Sequence, residues 1–143
     1  LYELDADTIR RRTDELAESL NMLDFMDRRC ETLSTGQAQK VSISRVLLHD
    51  PAVLILDEPT LGLDIMASRT ILDFIRDAKT RNHSIIFSTH YMTEAESLCD
   101  RIGLIYAGRI LALGTRQELY NQTRSESLEQ AFLAFADERT LDV

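Results

Sequence analysis

Very little in this chain suits a nucleic-acid or lipid surface. Lysine and arginine number 16 against 24 aspartates and glutamates, a formal net charge of -8. No basic stripe is available to neutralise phosphates along a strand, so no nucleic-acid partner is expected. No polybasic cluster marks a headgroup site either. No apolar run approaches the roughly 20 residues of a membrane-spanning helix, and the amino terminus does not read as a signal peptide. Cysteine is scarce. Cys30 and Cys99 stand far apart in no metal-ligand spacing, which points to free thiols in a reducing cytosol. The chain starts Leu1-Tyr2-Glu3-Leu4 without an initiator methionine, as expected of a fragment.

What is present is one domain's worth of ordinary globular sequence: 143 residues, 44% hydrophobic and 28% charged. It is organised around Val53-Leu54-Ile55-Leu56-Asp57-Glu58-Pro59-Thr60. The four apolar residues, set off by Asp50-Pro51 and Pro59, read as a short strand buried on both faces. Asp57 and Glu58 stand at its carboxyl end, the edge where an open parallel sheet binds ligands. Two adjacent carboxylates there can hold Mg²⁺ and aim a water at a phosphate. A core strand running into a polar turn would look the same in isolation.

The flanking segments decide between these readings. A helix is expected from about Asp7 to Leu23, with Ile9, Leu16 and Leu20 inward and Asp7 as its cap, followed by a polar break from Asp24 to Thr32. Leu33-Ser34-Thr35-Gly36-Gln37 opens a second helix running through Leu48, with Val41, Ile43, Val46 and Leu47 apolar. Ser34 and Gln37 fit a capping box. The same geometry leaves free N–H groups, a hydroxyl and a positive dipole end, which is a phosphate site. A cap can present its free donors to a ligand, so both readings stand.

Past the acidic pair, Leu61-Gly62-Leu63-Asp64 forms a turn, and Asp64 caps a helix from about Ile65 to Thr80 with Ile71, Leu72 and Ile75 inward. Arg81-Asn82-His83 breaks it before a second buried strand, Ser84 to His90. Strand, helix, strand at this spacing is a βαβ unit with parallel strands, which places His90 on the same sheet edge as Asp57 and Glu58. Thr93 to Glu96 reads as another capping box, opening a short helix to about Cys99. Ile102–Tyr106 and Arg109–Leu113 around Ala107-Gly108 read as a hairpin at the sheet's edge. Thr115 to Glu118 caps one more short helix, and Leu128 to Ala136 forms an amphipathic tail helix.

Leu33–Gln37, then Val53–Glu58 with Leu61–Asp64, then His90 resemble, in fixed order, the signature motif, Walker B strand, D-loop and switch histidine of an ABC-transporter ATPase. The resemblance runs over nearly the whole chain, and the tail from Leu119-Tyr120 to Phe132 looks most like ATPase subunits of sodium-extruding ABC-2 exporters. It implies an α/β fold: a partial P-loop NTPase-like (RecA-like) parallel core with part of the helical subdomain and an edge hairpin. Residues 1–50 would belong to the helical signature subdomain, 51–120 to the carboxyl-terminal half of the ATPase core, and 121–143 to a short helical tail.

By the same resemblance, ATP and Mg²⁺ are the cofactors. Asp57 would help hold the metal, through water, and Glu58 would polarise the attacking water. His90 would contact the γ-phosphate. Leu33, Ser34, Thr35, Gly36 and Gln37 would face ATP held by a second nucleotide-binding subunit in a head-to-tail dimer, with Ser34 and Gly36 at its γ-phosphate. The D-loop residues Leu61, Gly62, Leu63 and Asp64 would lie at that interface. A transmembrane permease would be the other partner, with the ATPase on the cytoplasmic face of the membrane. Thr35 stands where the family most often has glycine, and Leu61 where a small polar residue is common.

One family element is absent from these residues. Of the five glycines, only Gly103 and Gly108 have P-loop spacing, and Arg109-Ile110 follows where lysine and Ser/Thr are required. The chain therefore resembles the carboxyl-terminal part of such an ATPase, expected to be inactive alone. A non-transport ABC ATPase of DNA repair or translation is the alternative within the family. A non-catalytic dimerisation or docking module is the alternative outside it.

Overall fold

Two parallel strands joined through a helix lie at the centre of the first of two compact units, Leu1–Thr89 and His90–Val143. The computed structural model describes residues 4–81 and 83–140, with side chains as far as residue 137. Leu1, Tyr2 and Asn82, which the sequence reading used, lie outside the described residues.

In the first unit, α1 (Ala6–Ser19) is capped by Asp5, whose carboxylate accepts the Thr8 N–H at 2.8 Å. The expected cap, Asp7, sits instead in the first helical turn, where its charge still suits the dipole. The helix ends four residues short of Leu23 because Asn21 turns left-handed (φ 50°) and a 3₁₀ turn, Leu23–Phe25, follows. Ile9 is exposed, while Ala17 and Leu20 carry the buried face. Arg12 ties α1 to the chain before the first strand by donating to the Leu48 carbonyl (3.1 Å) and the Asp50 carboxylate (3.3 Å).

The second helix, α2 (Thr35–Leu47), buries Ile43 and Leu47; Val46, expected inward, lies at the flank of that face and is exposed. β1 (Val53–Leu56) and β2 (Ser84–Phe87) pair in parallel with Val53 opposite Ser84 and Leu56 opposite Phe87. Between them runs α3 (Ile65–Thr80), amphipathic and buried along Ala67, Ile71, Phe74, Ile75 and Ala78. It packs on β2 and against α2.

The expectation of strands buried on both faces is not met. Leu54 and Leu56 are buried, but Val53 and Ile55 are 54% and 74% exposed, and Ile86 on β2 is 63% exposed. Strand side chains alternate between faces, and among the described residues only one face of this two-stranded ribbon is covered.

The second unit holds α4 (Met92–Leu98), the antiparallel hairpin β3 (Ile102–Tyr106) and β4 (Arg109–Gly114), α5 (Arg116–Thr123) and α6 (Leu128–Thr140). Its core joins Ala95, Ile102, Leu104, Leu119 and Leu128. The hairpin turns at Ala107 and Gly108, both at positive φ, as a tight two-residue connection demands. Among the described strands, β3 and β4 pair with each other. The capping box expected at Thr93 is absent: Tyr91 precedes α4 and provides no side-chain cap. The box at Thr115 and Glu118 is present, with Thr115 N–H to Glu118 at 2.8 Å.

Candidate functional site

Four residues of β1 end in the carboxylate pair, and the backbone turns sharply there. Glu58 has φ 44°, a conformation rare for a residue with a Cβ and concentrated at functional turns. Its carbonyl accepts the Leu61 N–H at 3.1 Å, Pro59 and Thr60 are buried, and the Thr60 carbonyl accepts the Leu63 N–H at 3.2 Å. Gly62, at φ 71°, completes the turn. Asp64 then caps α3 by accepting the Ala67 N–H at 2.8 Å. The sequence-predicted Asp57, Glu58 and Leu61–Asp64 are thereby held on one continuous, hydrogen-bonded turn.

Nothing in the sequence singles out Ser88, yet its hydroxyl donates to Asp57 Oδ1 (2.5 Å) and accepts the Glu58 N–H (2.9 Å). The contact spans 30 residues of sequence, so only the parallel register of β1 and β2 reveals it.

The donor set suits Mg²⁺ rather than a protein-caged metal. Among the described residues no cluster of three or more His, Cys, Asp or Glu could hold an ion. Asp57 supplies one exposed carboxylate whose Oδ2 has no hydrogen-bond partner among the described residues. Mg²⁺ is held in this manner, by one or two carboxylates with the remaining positions filled by water and phosphate.

Ser34 is the N-cap of α2, and the capping box is complete: Gln37 N–H to Ser34 Oγ at 3.3 Å, Ser34 N–H to Gln37 Oε1 at 3.0 Å. The amides of Thr35 and Gly36, in the first turn, have no partner among the described residues. They are free to meet an anion at the positive end of the helix. Gly36 has a second reason to lack a side chain, since a Cβ there would come within 3.1 Å of Ala67 Cβ. The first turn of α2 and the first turn of α3 therefore touch, next to the Asp64 cap. Lys40, on α2, feels the same neighbourhood: burial lowers its pKa, and the negative charge of Asp64 acts against that shift. Neither Lys40 nor the Gly36–Ala67 contact is legible without the packing of α2 on α3.

His90 is the first residue of the second unit, its ring 4.0 Å from that of Tyr91. The Tyr91 carbonyl in turn accepts the N–H groups of Glu94 (3.0 Å) and Ala95 (3.4 Å), so the histidine leads directly into α4. The carboxylate of Glu96 on α4 accepts both the Tyr120 hydroxyl of α5 (2.5 Å) and the Leu128 N–H that begins α6 (2.6 Å). In the first unit, a cleft of about 340 Å³ opens at the opposite end of the strands from Asp57, floored by Leu16, Leu47, Phe74 and Ala78 and rimmed by Arg12, Asp50, Arg81 and His83.

A parallel strand ending in adjacent carboxylates, downstream of a capped helix start with free amides, agrees with the resemblance to an ABC-type ATP-binding domain. The ABC transporter family profile matches residues 3–61. The chain is 40% identical over 134 residues to the ABC transporter ATP-binding protein NatA of Bacillus subtilis, covering 94% of this chain and 54% of that protein. It is 31% identical to the linearmycin resistance ATP-binding protein LnrL of the same organism, over 99% of this chain and 45% of the relative. A solved ATP-binding subunit of an ABC transporter superposes with a TM-score of 0.83 at 30% identity, over 94% of this chain and 57% of that one. The chain is part of an ABC transporter ATP-binding domain, and it spans about half the length of the curated relatives it matches. No helix among the described residues is long and apolar enough to cross a membrane.

Proposed function

We propose that this chain supplies the hydrolytic edge and the signature motif of an ABC exporter ATPase, which drives efflux through a partner permease. The observation that carries the reading is the turn after β1, where Asp57 and Glu58 are fixed side by side at the carboxyl end of a parallel strand. Asp57 would hold Mg²⁺ through water, and the metal when bound offsets phosphate charge. Glu58 would orient the attacking water and take up its proton. His90 would touch the γ-phosphate from the segment leading into α4. Ser34, Gly36 and their neighbours would present free amides to ATP on a second, head-to-tail subunit, with Leu61–Asp64 at the same interface. Residues 1–50 would form part of the helical signature subdomain, 51–120 the carboxyl-terminal half of the ATPase core and 121–143 a short helical tail.

The lean to export is supported by relatives named for linearmycin resistance, daunorubicin resistance and Nod factor export, although molybdenum import proteins also match at 39% identity. Sodium as cargo rests on the resemblance of the tail. The subunit would work on the cytoplasmic face of the membrane, held there by the permease. The test is Glu58→Gln in the full-length subunit. The amide keeps the shape but is a poor base, so turnover should fall by roughly a hundred- to ten-thousandfold while ATP binding persists. Turnover at the wild-type rate would refute the assigned chemistry.

A further inference from the structure

We propose that Ser88 is a positioning residue for hydrolysis, a single hydroxyl that holds Asp57 and the backbone of Glu58 in fixed register. The inference rests on the reading of Asp57 and Glu58 given above. A serine hydroxyl has one proton to donate and lone pairs to accept with. Here the proton goes to Asp57 Oδ1 and the oxygen receives the Glu58 N–H. The platform is itself rigid, because the Ser88 N–H donates to the Leu56 carbonyl at 2.9 Å and so extends the β1–β2 ladder to the edge.

Two further observations give the clamp a purpose beyond holding the sheet together. Glu58 sits at φ 44°, a conformation its Cβ disfavours, and its backbone is pinned from both sides: N–H to Ser88, carbonyl to the Leu61 N–H. Released from Ser88, this residue has an easier backbone conformation to relax into, carrying its carboxylate away. Ser88 is also exposed, so water can replace its bonds and they contribute little to folding. What water cannot replace is one oxygen that dictates the spacing of two neighbouring groups. The clamp leaves Asp57 Oδ2 open and turns the Glu58 peptide to one orientation.

The experiment compares Ser88→Ala, Ser88→Thr and Glu58→Gln in the full-length subunit. In Ser88→Ala, kcat should fall by about ten- to a hundredfold, the cost of about 1 Å of misplacement, with the KM for ATP within about threefold of wild type. The melting temperature should move by less than about 3 °C, as for a surface substitution. The Glu58 amide, followed by NMR hydrogen exchange without nucleotide, should lose protection. Ser88→Thr keeps the hydroxyl on an exposed residue and should restore both turnover and protection. Normal turnover in Ser88→Ala, unchanged Glu58 exchange, or a threonine variant as slow as the alanine one would each overturn the clamp. Glu58→Gln separates the two levels: inert Glu58→Gln beside fully active Ser88→Ala refutes the clamp alone, whereas active Glu58→Gln refutes the hydrolytic reading beneath it.

Discussion

Glu96 offers the sharpest stability test, because one carboxylate fastens three helices of the second unit. Its oxygen takes the Tyr120 hydroxyl of α5 and the first N–H of α6, while Arg116 donates to the Glu96 carbonyl at 3.4 Å. Replacing Glu96 by alanine deletes both side-chain bonds and strands the amide of Leu128, a residue with no exposed surface. Hydrogen bonds to a charged group are worth about 1.5–3 kcal/mol each, and the lower figure applies to a half-buried acceptor, giving a loss of about 3 kcal/mol. At about 3–4 °C per kcal/mol for a chain of this size, the melting temperature should drop by about 10 °C. Glu96→Gln keeps an acceptor of the same shape and should lose only about 1 kcal/mol.

The pH dependence gives a second, independent check. The Tyr120 bond, then the Leu128 amide and the Arg116 charge, hold the Glu96 carboxyl below its usual range despite the opposing effect of burial. A depressed folded pKa means stability that is fully present above the unfolded value, about 4.3, and is lost as pH falls through the folded one. Burial, followed by the bond to Glu96, pushes the Tyr120 hydroxyl upward, so its contribution is present at neutral pH and lost only in strong alkali. Thermal unfolding of the full-length wild type and Glu96→Gln should therefore differ at pH 7 and converge as pH falls below the ordinary glutamate range. An alanine variant within about 0.5 kcal/mol of wild type, or a wild-type advantage that persists in acid, would refute the latch.

Ser34→Asp distinguishes a helix cap from a phosphate contact. Asp caps as well as Ser, so melting should be unchanged, but a carboxylate about 4 Å from a partner's γ-phosphate adds about 4 kcal/mol of repulsion at an effective dielectric near 20, enough to abolish the ATP-dependent dimer in size-exclusion chromatography. A variant that still dimerises would leave Ser34 as a cap only. The 143-residue chain by itself should neither bind MgATP tightly nor hydrolyse it, because a P-loop supplies most of the phosphate-cradling amides and the lysine. Micromolar affinity by calorimetry would contradict that.

Most features that depend on neighbours within a few residues follow from the chain's own order of amino acids. The Ser34–Gln37 and Thr115–Glu118 boxes, the Asp64 cap and the Ala107-Gly108 hairpin all close across two or three residues, so local chemistry decides them. The parallel β1–α3–β2 unit follows from apolar runs at strand length around an amphipathic helix. Two helix starts lie two residues before the position that the local pattern marks: Asp5 rather than Asp7 caps α1, and Tyr91 rather than Thr93 precedes α4.

Tertiary structure decided what lies across the fold. A run such as Val53-Leu54-Ile55-Leu56 is equally apolar on both sides, and only packing shows that Leu54 and Leu56 are covered while Val53 and Ile55 are not. Ser88 meets Asp57 and Glu58, Gly36 meets Ala67, and Glu96 meets Tyr120 and Leu128 across gaps of 24 to 32 residues. Such contacts carry no periodicity and no motif. They exist because the ladder register and helix packing fix the relative positions of distant backbone, and a serine, a glycine and a glutamate happen to stand where those positions coincide.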